Sequence, residues 1–285
     1  MTATVTAVST VEDAVPDRPQ RTAEAAATFF DAVRSEWTKL RSIRSVRFIL
    51  LATVVYGIGF GAGISYAFGR DYGTLDAAGK AAFDPTAISL NSYALAQLGI
   101  AAMGAILITV EYATGGIQAV LTAVPRRSRV LAAKSTVCAL VALPVGTLIG
   151  FGAFLLGQAV LAQQGAPHVT LGSPDALRAV FGDALYLTAV GVLGVAVGTL
   201  VRSTAGAVTL LAAVMLIIPT ISRPLPDAVA HLLMKFWPAN AGSQVMATQH
   251  DPATALGAWP GFAVLAGFVA IVVGLAFRVF RTRDV

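Results

Sequence analysis

The sequence predicts an all-α integral membrane protein in which six transmembrane helices follow an interfacial amphipathic helix and both termini are cytoplasmic. Three observations predict it. Hydrophobic residues make up 56% of the 285 positions and charged residues only 12%, more apolar surface than one soluble core can hide. The apolar residues gather into runs long enough to cross a hydrocarbon layer about 30 Å thick, which takes roughly 20 helical residues. The basic residues gather at alternate ends of those runs, as insertion with the positive side inside requires.

Residues 1–27 are rich in Thr, Ala, Val, Pro and charge without sustained periodicity, and are expected to form a disordered cytoplasmic tail. With neither a basic start nor an apolar stretch, they do not read as a signal peptide. Over residues 28–46, Phe30, Val33, Trp37 and Leu40 recur at helical spacing, with Asp31, Arg34, Glu36, Lys39 and Arg41 on the other faces. An amphipathic helix so placed lies in the headgroup region, and Trp37 is its expected interfacial anchor.

The six runs of the membrane domain, residues 47–283, are Phe48 to Phe68, Leu90 to Val110, Ser135 to Leu161, Ala179 to Val201, Ala205 to Ile221 and Phe262 to Phe280. Helices are expected, because in lipid every backbone polar group must be satisfied within the segment. With the N-terminus inside, fifteen of the twenty Lys and Arg residues fall on the inner side. Gly57 with Gly61, overlapped by Gly59 with Gly63, then Gly146 with Gly150 and Gly194 with Gly198, place small residues four apart and predict close helix packing.

Between the spans, Gly69 to Ser89 and Ala162 to Arg178 are turn-prone outer connectors, and Arg202 to Thr204 forms a tight inner hairpin turn. Residues 222–260 are longer and hold two apolar clusters, around Phe236 and around Trp259, neither long enough to span. A re-entrant or surface-lying course is expected there.

Several chemistries are excluded or disfavoured. Glycines and lysine never fall in the P-loop pattern, since Gly79-Lys80 is followed by Ala81. Gly57, Gly59 and Ala62 match a dinucleotide fingerprint, but inside an apolar span with no strand before it. His168, His231 and His250 all fall in outer loops, so Ser65 has no histidine to activate it, and Cys138 is the single cysteine. No cofactor, metal or nucleic-acid site is expected. Few charges lie within the spans: Glu111 ends the second and Asp183 lies near the start of the fourth. Glu111 is expected to form an ion pair, with Arg41, Arg44 and Arg127 as candidate partners.

Residues 111–134, EYATGGIQAVLTAVPRRSRVLAAK, join two spans by an amphipathic turn carrying Arg126, Arg127, Arg129 and Lys134, which reads as a docking surface. The order Glu111, Gly115, Leu121, Pro125, Arg127, Lys134 resembles the cytoplasmic coupling segment of ABC-2-type transporter permeases. The stretch SEWTKLRSIRS, Ser35 to Ser45, resembles the elbow helix before their first span. Gly116 stands where that family commonly has Thr, and Gln118 where a basic residue is common.

The resemblance implies a permease subunit of an ATP-driven exporter in a bacterial cytoplasmic membrane. It further implies a second permease copy or paralogue and a cytoplasmic ATPase subunit that binds ATP and Mg²⁺ in its stead. Glu111, Gly115, Gly116, Leu121, Pro125, Arg126, Arg127 and Arg129 are then the expected ATPase-coupling residues. Two other readings fit the same spans: a secondary transporter built from inverted three-helix repeats, and a membrane scaffold or sensor that transports nothing.

Overall fold

The computed structural model describes residues 28–115, 127–221, 226–249 and 255–282, and these form helices and turns with no strand among them. The predicted tail, residues 1–27, lies outside them.

Helix α1, Phe29–Ser42, opens on a reciprocal cap in which Asp31 N donates to Thr28 Oγ1 and Thr28 N donates to Asp31 Oδ2. The Thr28 hydroxyl also donates to Asp31 Oδ2, and this bond, with that from Thr28 N, holds the Asp31 carboxyl below its ordinary range. Ile43, extended at φ −79° and ψ 105°, breaks the helix. The chain turns there and enters α2, Arg44–Asp71, the first long apolar helix.

Short helices α3, Ala77–Ala81, and α4, Pro85–Leu90, occupy the first connector and lead into α5, Tyr93–Ala113. Next come α6, Arg127–Gln163, and α7, Ala176–Val201. The predicted fifth run is helical in three pieces: α8, Thr204–Ala212, a π turn over Ala213–Ile217, and α9, Ile218–Ile221. Then follow α10, Asp227–Phe236, α11, Pro238–Ser243, and α12, Ala258–Thr282.

Five helices among the described residues are long and apolar enough to cross a membrane, and the interrupted fifth run is shorter than these. The helices also outrun the predicted runs. Helix α6 has 37 residues, about 55 Å at 1.5 Å per residue, so it extends well past a bilayer core and takes up Arg127 to Lys134 as its first turns.

Helix α7 is the central element, packed by α5, α6 and α12. Glycine makes the approach possible. A Cβ on Gly104 of α5 would stand 2.1 Å from the Gly191 carbonyl oxygen, and one on Gly194 of α7 would stand 2.4 Å from that of Ala101. The predicted pairs are distributed accordingly: Gly57 and Gly61 meet α6 side chains, Gly146 and Gly150 meet α7, and Gly198 meets α5 at Ala105. Gly59 and Gly63 have nothing within 4 Å. Large apolar side chains such as Phe48, Leu51, Val55 and Ile271 are exposed on α2 and α12, the pattern of a surface solvated by lipid tails rather than water.

At the end of the bundle away from α1, polar bonds fix the late segment onto the earlier helices. Asp84 caps α4 through Oδ1, while its Oδ2 accepts from Thr248 N and Gln249 N at 2.8 and 3.1 Å. Arg178 donates to the Val245 and Ala247 carbonyls at 2.7 and 3.0 Å. Trp237 Nε1 donates to the Val214 carbonyl at 2.7 Å. That carbonyl lies inside the π turn, where the helical ladder is loosened and an acceptor is available.

Candidate coupling site

At the other end, four charged side chains from three helices close a ring. Lys134, early in α6 and fully buried, has its Nζ 2.6 Å from Glu36 Oε2, 2.8 Å from Glu111 Oε1 and 2.9 Å from the Leu107 carbonyl. Two of its ammonium protons are donated, to Glu36 and to the Leu107 carbonyl, and Glu111 completes the site as a charge partner. Lys39 Nζ returns from the solvent side, 2.7 Å from Glu36 Oε1 and 2.8 Å from Glu111 Oε1. Two carboxylates thus alternate with two ammoniums, and α1 is bound to the last turn of α5 and the first turns of α6.

Local sequence explains how each group arrives. Ala32, Glu36 and Leu40 recur every four residues and form the buried stripe of α1. Burial alone would push the Lys39 ammonium down, but hydrogen bonds to Glu111 and Glu36 outweigh it and hold the group above its ordinary value. Glu111 Oε2 is buried and accepts no hydrogen bond among the described residues.

The last turn of α5 gathers further ties. The Arg202 guanidinium lies over the Tyr112 ring, 5.1 Å from its centroid, within the reach of a cation–π contact. Arg202 reaches it from the left-handed conformation, φ 58°, that ends α7. The hydroxyls of Thr109 and Thr204 share a hydrogen bond, joining α5 to the start of α8. Helices α1, α6, α7 and α8 therefore all bond to residues 107–112.

Sequence-predicted residues fall unevenly on this site. Glu111 is in the ring, and its partners among the described side chains are Lys39 and Lys134 rather than Arg41 or Arg44, because α6 starts earlier than expected and buries Lys134 instead of presenting it to a docking partner; the side chain of the third candidate, Arg127, lies outside them. Glu36, expected on the polar side of α1, is buried for the same reason: Lys134 faces it. Gly115 takes φ +69° just beyond α5, a left-handed turn that glycine adopts freely. Arg129 sits half-buried in the first turn of α6, where Arg127 begins the helix. Gly116, Leu121, Pro125 and Arg126 lie outside the described residues. Trp37 is 38% exposed and Phe30 81%, two turns apart on the outward side of α1.

Sequence reasoning missed Glu36 and Lys39 as site residues. The available signals were the i,i+3 spacing of the pair, the position of Glu36 midway between Ala32 and Leu40, and a lysine abutting an apolar run. Asp183 is also deeper than expected: it is fully buried and neither carboxyl oxygen has a partner among the described residues.

A family model described as ABC-2 family transporter protein matches residues 32–220. The chain belongs to this family. The match begins inside α1 and ends in α9, so it includes every member of the ring. A search of the curated proteins finds no match. As an ABC-2 family transporter protein with five membrane-competent helices, the chain is the transmembrane, multi-pass permease component of an ABC transporter. In this ABC-2 chain the ring stands at the roots of residues 116–126, on both sides of that segment.

Proposed function

We propose that the chain is the permease subunit of an ATP-driven exporter in a bacterial cytoplasmic membrane, crossing it six times with both termini inside. It would act as a dimer, with a second copy or a paralogue, and draw work from a cytoplasmic ATPase that binds ATP and Mg²⁺. The observation that carries this reading is the ring. Glu111 and Lys134 stand at the two roots of the connecting segment and are bonded both to each other and to Glu36 and Lys39 of the elbow.

A push on residues 116–126 would therefore reach α1, α5 and α6 together, and through Tyr112 and Thr109 the α7–α8 hairpin. Buried ion pairs suit that task, since they add little net stability yet are costly to separate once formed. Exposed Trp37 and Phe30 would seat α1 in the headgroup layer, so that the elbow bears on the membrane while it is driven from below. Coupling of this kind needs a bistable bundle, and the loosened π turn at Ala213–Ile217 is a suitable point of give.

Charge reversal at Arg126, Arg127 and Arg129 tests the reading. An ABC ATPase is expected to co-purify with the wild-type chain and to be lost from the variant, with membrane insertion intact. Retention of the ATPase by the variant contradicts the docking assignment, and transport of cargo by the purified chain alone contradicts the function.

A further inference from the structure

Between α5, the π turn, α9 and α11, at the end of the bundle away from the ring, lies a cavity of about 390 Å³. Its apolar lining includes Met215, Leu216 and Met234. Most of its polar wall is already spent on the protein itself. Gln97 accepts from Tyr186 Oη at 2.8 Å and donates to the Ala94 carbonyl at 2.9 Å. Ser243 and Thr220 donate to the carbonyls of Asn240 and Leu216.

Two side chains differ. The amides of Asn91, solvent-exposed at the end of α4, and Asn240, half-buried on α11, border the cavity, and no described residue hydrogen-bonds to either. No charged residue is among the described residues that line it. Asp183 stays behind the wall, on α7 one turn from Tyr186, and is fully buried.

We propose that this cavity binds the uncharged, hydrogen-bonding head of an amphiphile. Asn91 and Asn240 each offer a donor and an acceptor to an amide or hydroxyl group, and the lining methionines take the start of the tail. Both ends of an amide are satisfied by a group that donates and accepts, whereas a carboxylate only accepts and an ammonium only donates. The lack of a charged lining leaves an ion without compensation for its lost water. Flexible methionines suit a variable tail. The inference rests on the export reading only in calling this ligand cargo, and binding does not require the ATPase.

The test uses the full chain in nanodiscs with Trp37→Phe and Trp259→Phe, leaving Trp237, which is fixed to Val214 beside the cavity, as the reporter. Four probes share one tail: oleamide, monoolein, oleate and oleylamine. Oleamide and monoolein are expected to change Trp237 emission saturably and the two ions to do so at least tenfold more weakly. Asn91→Ala with Asn240→Ala should weaken oleamide binding by about tenfold or more, the loss of two neutral hydrogen bonds. Ala94→Phe, which narrows the cavity without touching either amide, should abolish it. Equal responses to all four probes, preference for either ion, or unchanged binding in both variants overturns the proposal. A permease that binds oleamide but recruits no ATPase would sink the export reading instead.

Discussion

Lys134 Nζ lies 2.6 Å from Glu36 Oε2, although 98 residues separate the two in the chain and both are buried. A lysine at the root of a membrane span is thereby neutralised by an acid from the elbow helix, not by water. Removing one partner leaves the other buried and uncompensated. Lys134→Met is expected to cost about 3–5 kcal/mol of stability, and Glu36→Gln a similar amount. The double variant should recover a large part, the signature of direct coupling. Unfolding in detergent, followed by circular dichroism, measures this cycle; additive losses would show that the two do not act as a pair.

Lys39 closes the ring from the solvent side and gives it a pH dependence. Its folded value is raised above the ordinary 10.5. Its contribution is therefore fully present below that ordinary value and is lost as pH rises through the folded one. As pH rises above 10.5 the wild type should lose more stability than Lys39→Gln, which has no proton to release there. Parallel pH profiles for the two proteins would contradict the assignment.

Helix packing supplies a sharper contrast. Gly104→Ala places a methyl 2.1 Å from the backbone oxygen of Gly191, where no side-chain rotation relieves it, and should cost about 3 kcal/mol or more. Gly59→Ala meets nothing within 4 Å and should be neutral or stabilising by roughly 0.5–1 kcal/mol. Thermal unfolding of the two variants decides; equal effects would mean that α5 and α7 do not approach as closely as described.

These contrasts mark what the sequence makes legible. Six apolar runs can be read because burial in lipid demands length and composition, and five became long helices that overshoot their runs at one or both ends. The spacing Gly57 to Gly61 reads as packing, yet Gly59 to Gly63 has the same spacing and packs on nothing, because periodicity reports a face and not what lies against it. Glu111 could be singled out as an ion-pair former. Lys134 could not be named as its partner, since α6 begins at Arg127, ahead of the apolar run, and turns Lys134 toward acids on two other helices. Asn91 and Asn240 lie 149 positions apart on unrelated connectors, and no local pattern links them.

Topology is open to direct assay, because the native Cys138 is fully buried and contributes no background. Lys80→Cys and Asn240→Cys are expected to react with an impermeant maleimide from outside, and Ser128→Cys only after permeabilisation. The reverse pattern would invert the orientation and place the ring outside.

The most direct measurement of the coupling account is a distance between two spin labels, Phe30→Cys on α1 and Ser128→Cys at the start of α6, with Cys138→Ser, in the permease purified with its ATPase. The account expects one narrow distance that is the same with ATP and with ADP, because the ring moves as a body, and a broadened distribution once Lys134→Met opens it. A wild-type distance that changes with nucleotide, or a Lys134→Met distance as narrow as the wild type's, would contradict it.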